Sequence, residues 1–212
     1  MGGWTRTAVV DGGPPGGDAR AMSSALIVGD LQVGILDNYP FTRAVVPPVT
    51  ELLPRARAAG VLVVFVRTAF RANGADVAGE VFAAFYRAGD HFHEGSPGTA
   101  VALEVTRDDV IVLKRRTSAF AGTDLDLVLR ARGVDSIALT GVATSAMVAA
   151  TLYDASDRGY GLTVLRDGCA DADPAVHELL VDTVFRNRGA EILTCAEWPA
   201  HSRASGARTA RH

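Results

Sequence analysis

The sequence is short of cysteine, of lysine and of long apolar runs. Two cysteines in 212 residues, Cys169 and Cys195, are too few for a disulfide framework, and their spacing matches no zinc motif. No apolar stretch approaches the roughly 20 residues of a membrane span, and the first residues lack the continuous apolar region of a signal peptide. The expectation is a cytoplasmic protein with no membrane partner. Positive charge is not in excess: the formal net charge is −3, which argues against a nucleic-acid partner. No glycine-rich phosphate fingerprint surrounds Gly141, so no nucleotide cofactor is expected. Lys114 is the sole lysine in a chain otherwise rich in arginine. A lone lysine at a strand end points to a place that needs a compact ammonium, with a chance leftover as the competing explanation.

What remains is an ordinary globular composition, 48% apolar and 21% charged, long enough for one domain with a proper core. Residues 1–22, with GGPPGG at 12–17, read as a flexible tail, residues 23–200 as a single domain, and 201–212 as a second flexible tail. Short apolar runs alternate with helical spacing along the domain. Strands are predicted at Ala25–Gly29, Val61–Arg67, Val110–Leu113, Ile137–Thr140, Leu162–Leu165 and Glu191–Thr194. Helices are predicted at Thr50–Ala59, stopped by Gly60, at Thr123 to Gly133, at Ser145–Asp157, and from Asp173-Pro174 to about Phe185. A loop is expected through Asn38, Pro40 and Phe41, with Pro48 as a first-turn residue of the helix that follows. Strands alternating with helices imply right-handed crossovers and a doubly wound parallel sheet, an α/β fold.

In such sheets ligands bind outside the carboxyl ends of the strands. Three strand ends carry polar side chains: Asp30, Lys114, and the run Thr140-Gly141-Val142-Ala143-Thr144-Ser145. Segment 68–109 is the least regular. Val77–Arg87 reads as a short helix with Phe82, Phe85 and Tyr86 on or near one face. The loop Gly89–Thr99 holds His91 and His93, which would share a side if extended. A metal site there is conceivable, but no motif supplies a third ligand, and a polar loop covering the site is preferred.

With those strand ends in place, the chain resembles the isochorismatase-like hydrolase superfamily. The resemblance is carried by ALIVGDLQ at 25–32, VIVLKRRTSAFAGTDLD at 110–126, LTGVATSAMVAATLYDASDRGY at 139–160 and VLRDGCADADPAVHE at 164–178. It implies a six-stranded parallel sheet of order 3-2-1-4-5-6, a homo-oligomer (dimer or tetramer), and a cis peptide between Val142 and Ala143 that forms an oxyanion hole. No cofactor and no metal are expected from the motifs present. The family's common members are amidohydrolases with an Asp-Lys-Cys triad. Asp30 and Lys114 fill the first two positions, and the nucleophile position falls on Met147. A thioether has no proton to lose and cannot form a thioester that turns over.

A smaller branch of the superfamily lacks the cysteine and hydrolyses a vinyl ether with an acid and water. By that resemblance Asp30 is the general acid/base and Lys114 its electrostatic partner, with Gln32, Arg67, Arg71 or Arg115 as candidates to hold a substrate's acidic groups. Gln32, Phe70, Ser118, Phe120 and Thr144 are expected around the pocket. The branch typically has Gly where Met147 stands and a Gln after the second strand, where this chain has Thr68-Ala69-Phe70, so a small substrate other than isochorismate is expected. Two alternatives stay open: a catalytically silent member that binds a metabolite or partner, and an amidase whose nucleophile is Thr144 or Ser118. In the silent case Met147 and Phe120 serve as core filling.

Overall fold

Every second residue of the central strand faces the opposite side of the sheet, and both sides are dry. β1 (Ser23–Gly29) sends Ala25 and Ile27 into one apolar cluster and Leu26 and Val28 into another, all at most 1% exposed. β2 (Leu62–Thr68) and β4 (Val134–Val142) divide in the same way: Val64, Val66, Ile137 and Leu139 to the first cluster, Val63, Phe65, Ala138 and Val142 to the second. Strands buried on both faces need apolar residues at nearly every position, which is why these runs read as continuous rather than alternating.

The computed structural model describes residues 23–198; the expected tails at 1–22 and 201–212, and the last two residues of the expected domain, lie outside the described residues. Six parallel strands form one sheet in the order β3-β2-β1-β4-β5-β6, where β3 is Val110–Lys114, β5 is Gly161–Ala170 and β6 is Glu191–Leu193. This is the expected doubly wound α/β architecture.

Helices cover both faces. α1 (Val33–Asn38) and α2 (Val46–Ala58) lie on one, with Val49, Leu52, Leu53 and Ala56 buried. α4 (Leu125–Ala131), α5 (Ala149–Asp157) and the turns after α6 (Pro174–Leu179) cover the other, through Leu125, Leu129, Leu152, Val181 and Phe185. Each such large side chain contributes about 1.5–3 kcal/mol by leaving water. α3 (Glu80–Arg87) stands apart, because none of its residues is buried.

Several boundaries differ from the sequence expectation. Where a loop is expected through Asn38, Pro40 and Phe41, α1 ends at Asn38 and a 3-10 segment runs over Pro40–Val45. α2 starts at Val46, because Pro47 and Pro48 both fit its first turn, where a missing N–H leaves no bond unmade. α3 begins at Glu80 rather than Val77. The helix expected from Ser145 opens as a π turn, Thr144–Val148, before α5 proper. Asp173 caps α6 as expected, its carboxylate accepting from the Ala175 N–H at 2.9 Å. None of the described helices is long and apolar enough to cross a membrane.

Candidate active site

The ends of β1, β2 and β3 bring three polar side chains together. β2 pairs with β3 so that Thr68 lies opposite Lys114, and β1 pairs with β2 so that Asp30 follows Gly29, opposite Val66. Asp30 turns out of the strand with φ of 58°, a left-handed conformation in which Asp is one of the few tolerated non-glycine residues, and its N–H still donates to Val66 O at 2.8 Å. Lys114 Nζ lies 2.8 Å from Asp30 Oδ2. The same ammonium donates to Thr68 Oγ1 at 2.7 Å, and that hydroxyl donates to Asp30 Oδ1 at 3.0 Å. Both carboxylate oxygens are therefore bonded within a closed triangle of which little reaches water: Asp30 is 6% exposed and Lys114 3%. A buried pair of this kind persists only where the attraction and added hydrogen bonds offset the loss of hydration.

The pair lies on the wall of a cavity of about 310 Å³. The opposite walls are apolar: Tyr39, Phe41 and Phe92, Val81, Phe82 and Phe85 of α3, Val142 at the end of β4, and Ala143, Ala146 and Met147 from the turn after it. A cis peptide joins Val142 and Ala143, as the resemblance implied. Just before it, Gly141 has φ of +123°, and a Cβ there would lie 2.0 Å from Gly29 O, so only glycine fits. Met147 is 1% exposed, and its Sδ lies 3.4 Å from Thr151 Oγ1.

Five side chains expected at the pocket are not among the residues that line it. Gln32 is wholly buried and binds backbone instead: its Oε1 accepts from Thr68 N–H at 2.8 Å, and its Nε2 donates to Thr68 O at 3.0 Å and Gly98 O at 3.3 Å. It holds the residue that bridges Asp30 and Lys114. Phe70 packs behind Phe82, with ring centroids 5.8 Å apart. Phe120 stacks on Tyr160 at 5.9 Å under the Arg158 guanidinium. Ser118 donates to Asp154 and accepts from Phe120 N–H. Thr144 is fully buried and shares a 2.8 Å hydrogen bond with His177 Nδ1.

The arginines considered as substrate anchors all have protein partners. Arg67 donates to Thr99 O and Oγ1, Arg71 pairs with Asp76, and Arg115 pairs with Asp76 and Glu94. Among the described residues no group of three or more His, Cys, Asp or Glu could hold a metal ion. His93 contacts Tyr86, and the His91 ring packs against Phe92. Burial pushes the Cys169 thiol up to about 12 and the Cys195 thiol well above its ordinary value, and neither lines the cavity.

Thr68 and the aromatic wall were not expected at the site. Phe82 and Phe85, three apart on a helix with no buried position, carried the available signal.

Comparison with known proteins agrees with the fold and the motifs. The isochorismatase domain family matches residues 24–197. An uncharacterized isochorismatase family protein of Escherichia coli is 33% identical over 171 residues, 79% of this chain and 90% of that protein. A probable inactive nicotinamidase of Arabidopsis thaliana is 30% identical, over 84% of this chain and 96% of its own. The crystal structure of a cysteine hydrolase from Pseudomonas syringae pv. phaseolicola superposes with a TM-score of 0.77 at 31% identity, over 86% of this chain and 93% of that one. The chain belongs to the isochorismatase family, within the isochorismatase-like hydrolase superfamily.

Proposed function

We propose that this family member adds water to a small substrate by acid–base chemistry at Asp30, with Lys114 as electrostatic partner and with no covalent enzyme intermediate. The observation that carries the reading is the 2.8 Å Asp30–Lys114 pair on a cavity wall shared with the Met147 thioether. The reading is supported by a carboxylate and an ammonium in contact on that wall, with neither cysteine among the lining residues.

Vinyl-ether hydrolysis suits that inventory. Lys114 gives a proton to the Asp30 carboxylate across their contact, and Asp30 passes that proton to the terminal carbon of the enol ether, leaving Lys114 as the neutral amine. Water adds to the resulting oxocarbenium ion and returns one proton to the pair. The hemiacetal then breaks to an alcohol and a carbonyl compound. One water is consumed, one C–O bond is broken, and the pair ends as it began. The backbone at Val142 and Ala143 borders the same space and would receive the substrate oxygen. Met147 bounds the pocket.

A second reading, a silent member that binds without turnover, is favoured by the deep burial of Met147 and by the similarity to the probable inactive nicotinamidase of Arabidopsis thaliana. The amidase alternative loses support, because Thr144 and Ser118 both hold other hydrogen-bond partners and neither lines the cavity.

The test incubates the protein with uncharged vinyl ethers, isochorismate and small amides, following carbonyl product, pyruvate and ammonia. Carbonyl or pyruvate release that falls by about 100-fold or more in Asp30→Asn supports the reading. Ammonia release lost in the same variant would replace it with an amidase. Silence across the panel would favour the binder.

A further inference from the structure

Two side chains from the segment after β5 grip the turn that follows β4. That turn, Thr144–Val148, carries Ala146 and Met147. Asp171, just past the end of β5, accepts the Ser145 N–H at 2.7 Å and the Ala172 N–H at 2.9 Å. His177, on α6, meets the Thr144 hydroxyl through Nδ1 at 2.8 Å. One grip is on backbone and the other is on a side chain.

The His177 grip depends on a proton. Thr144 is fully buried, and among the described residues its hydroxyl has no other partner. When the ring is neutral with no hydrogen on Nδ1, the hydroxyl donates to that nitrogen. The imidazolium carries a hydrogen on both nitrogens, so Nδ1 becomes a donor and the hydroxyl proton loses its acceptor. A buried donor left unmet weakens the state that contains it. His177 is half-buried, so its ring can take up a proton from solvent.

The surrounding charges act in both directions. α6 packs against β5, the Thr144–Val148 turn and the Leu180–Phe185 turn. Burial disfavours the imidazolium most, and Arg166 of β5 does so next. Asp171, Asp182 of the Leu180–Phe185 turn and Glu178 of α6 favour it. Arg166 is itself paired with Asp182 at 3.3 Å. The Thr144–Val148 turn brings no ionisable side chain to the ring.

We propose that His177 is a positioning residue: its neutral imidazole anchors the Thr144 hydroxyl and holds the Thr144–Val148 turn in place, and its protonation frees that turn while Asp171 keeps its hold on Ser145. The link to turnover rests on the preceding reading, in which the backbone just before this turn receives the substrate oxygen; the anchoring does not.

Amide hydrogen exchange of the whole chain tests this without a substrate, read by mass spectrometry on a peptide covering 143–148 and corrected for intrinsic rates. The Ala146 and Val148 N–H groups both donate to Ala143 O, so they report the turn. In the wild type their exchange is expected to rise by about tenfold between pH 7.5 and pH 5, while a β1 peptide covering 24–29 does not follow. His177→Gln keeps an acceptor but does not titrate, so it is expected to match the wild type at pH 7.5 and to stay protected at pH 5. His177→Phe keeps a ring without an acceptor, and its turn is expected to exchange about tenfold faster already at pH 7.5. No acid response in the wild type, an equal response in His177→Gln, or a His177→Phe turn as protected as the wild type would each overturn the proposal. Should β1 open in step with the turn at pH 5, the comparison at pH 7.5 decides. The expected exchange pattern together with full activity of Asp30→Asn would leave the anchor standing and overturn the catalytic reading alone.

Discussion

The terminal methyl of Met147 occupies the space in which a side chain at Gly29 would begin. A Cβ built on Gly29 would lie 1.6 Å from Met147 Cε and 2.6 Å from its Sδ. Met147 is therefore fitted to the residue that precedes Asp30. Gly29→Ala is expected to destabilise the protein by about 1–3 kcal/mol through overpacking, and Met147→Ala by about 2–5 kcal/mol through the void it leaves. The double variant is expected to be more stable than the sum of the two, with a coupling of about 1–3 kcal/mol. Urea denaturation of the four proteins checks this; strict additivity would mean that the contact is not felt.

The Asp30–Lys114 pair makes an asymmetric prediction. Lys114→Met leaves a buried carboxylate without its cation and is expected to cost about 3–5 kcal/mol. Adding Asp30→Asn removes the orphaned charge, so the double variant is expected to be more stable than Lys114→Met alone. The midpoint of urea unfolding gives the order directly.

The native thiols are expected to be inert in the folded state. Burial holds Cys169 up at about 12 and raises Cys195 too, so at pH 8 almost no thiolate is present to attack an alkylating reagent. Intact mass after brief iodoacetamide treatment is expected to show no label on the native protein and two labels in denaturant, one for each cysteine. Met147→Cys places a thiol on the cavity wall and is expected to gain one label while folded.

His177 gives the fold a pH dependence. Burial first, and the nearby Arg166 second, hold its imidazole below the usual value of 6.5. The unfolded chain then binds a proton at a pH where the folded chain does not, so stability rises with pH in that window. The contribution is present above pH 6.5 and is lost as pH falls through the lower folded value. The fall in melting temperature between pH 7 and pH 5 is expected to be smaller in His177→Gln.

The parts legible in the sequence were those set by local pattern. Runs such as Ala25–Gly29 and Val110–Leu113 announced strands, and their ends announced Asp30 and Lys114. The Asp173-Pro174 step marked the start of α6. The parts missed depend on contacts far along the chain. α1 is six residues long, has no side-chain cap, and is held by such bonds as Val33 N–H to Ala100 O. Thr68 becomes a bridge because parallel pairing sets it against Lys114, a relation that no short window contains. Phe120, Ser118 and Thr144 adjoin the right motifs, but their side chains meet Tyr160, Asp154 and His177 instead of the cavity.

The most direct test of the account is the rate of carbonyl release from an uncharged vinyl ether by the wild type and by Asp30→Asn, with the intact mass of the protein followed during turnover. The account predicts a loss of about 100-fold or more in the variant and an unmodified protein mass throughout. An Asp30→Asn variant that keeps the wild-type rate, or a substrate-derived adduct on the enzyme, would contradict it.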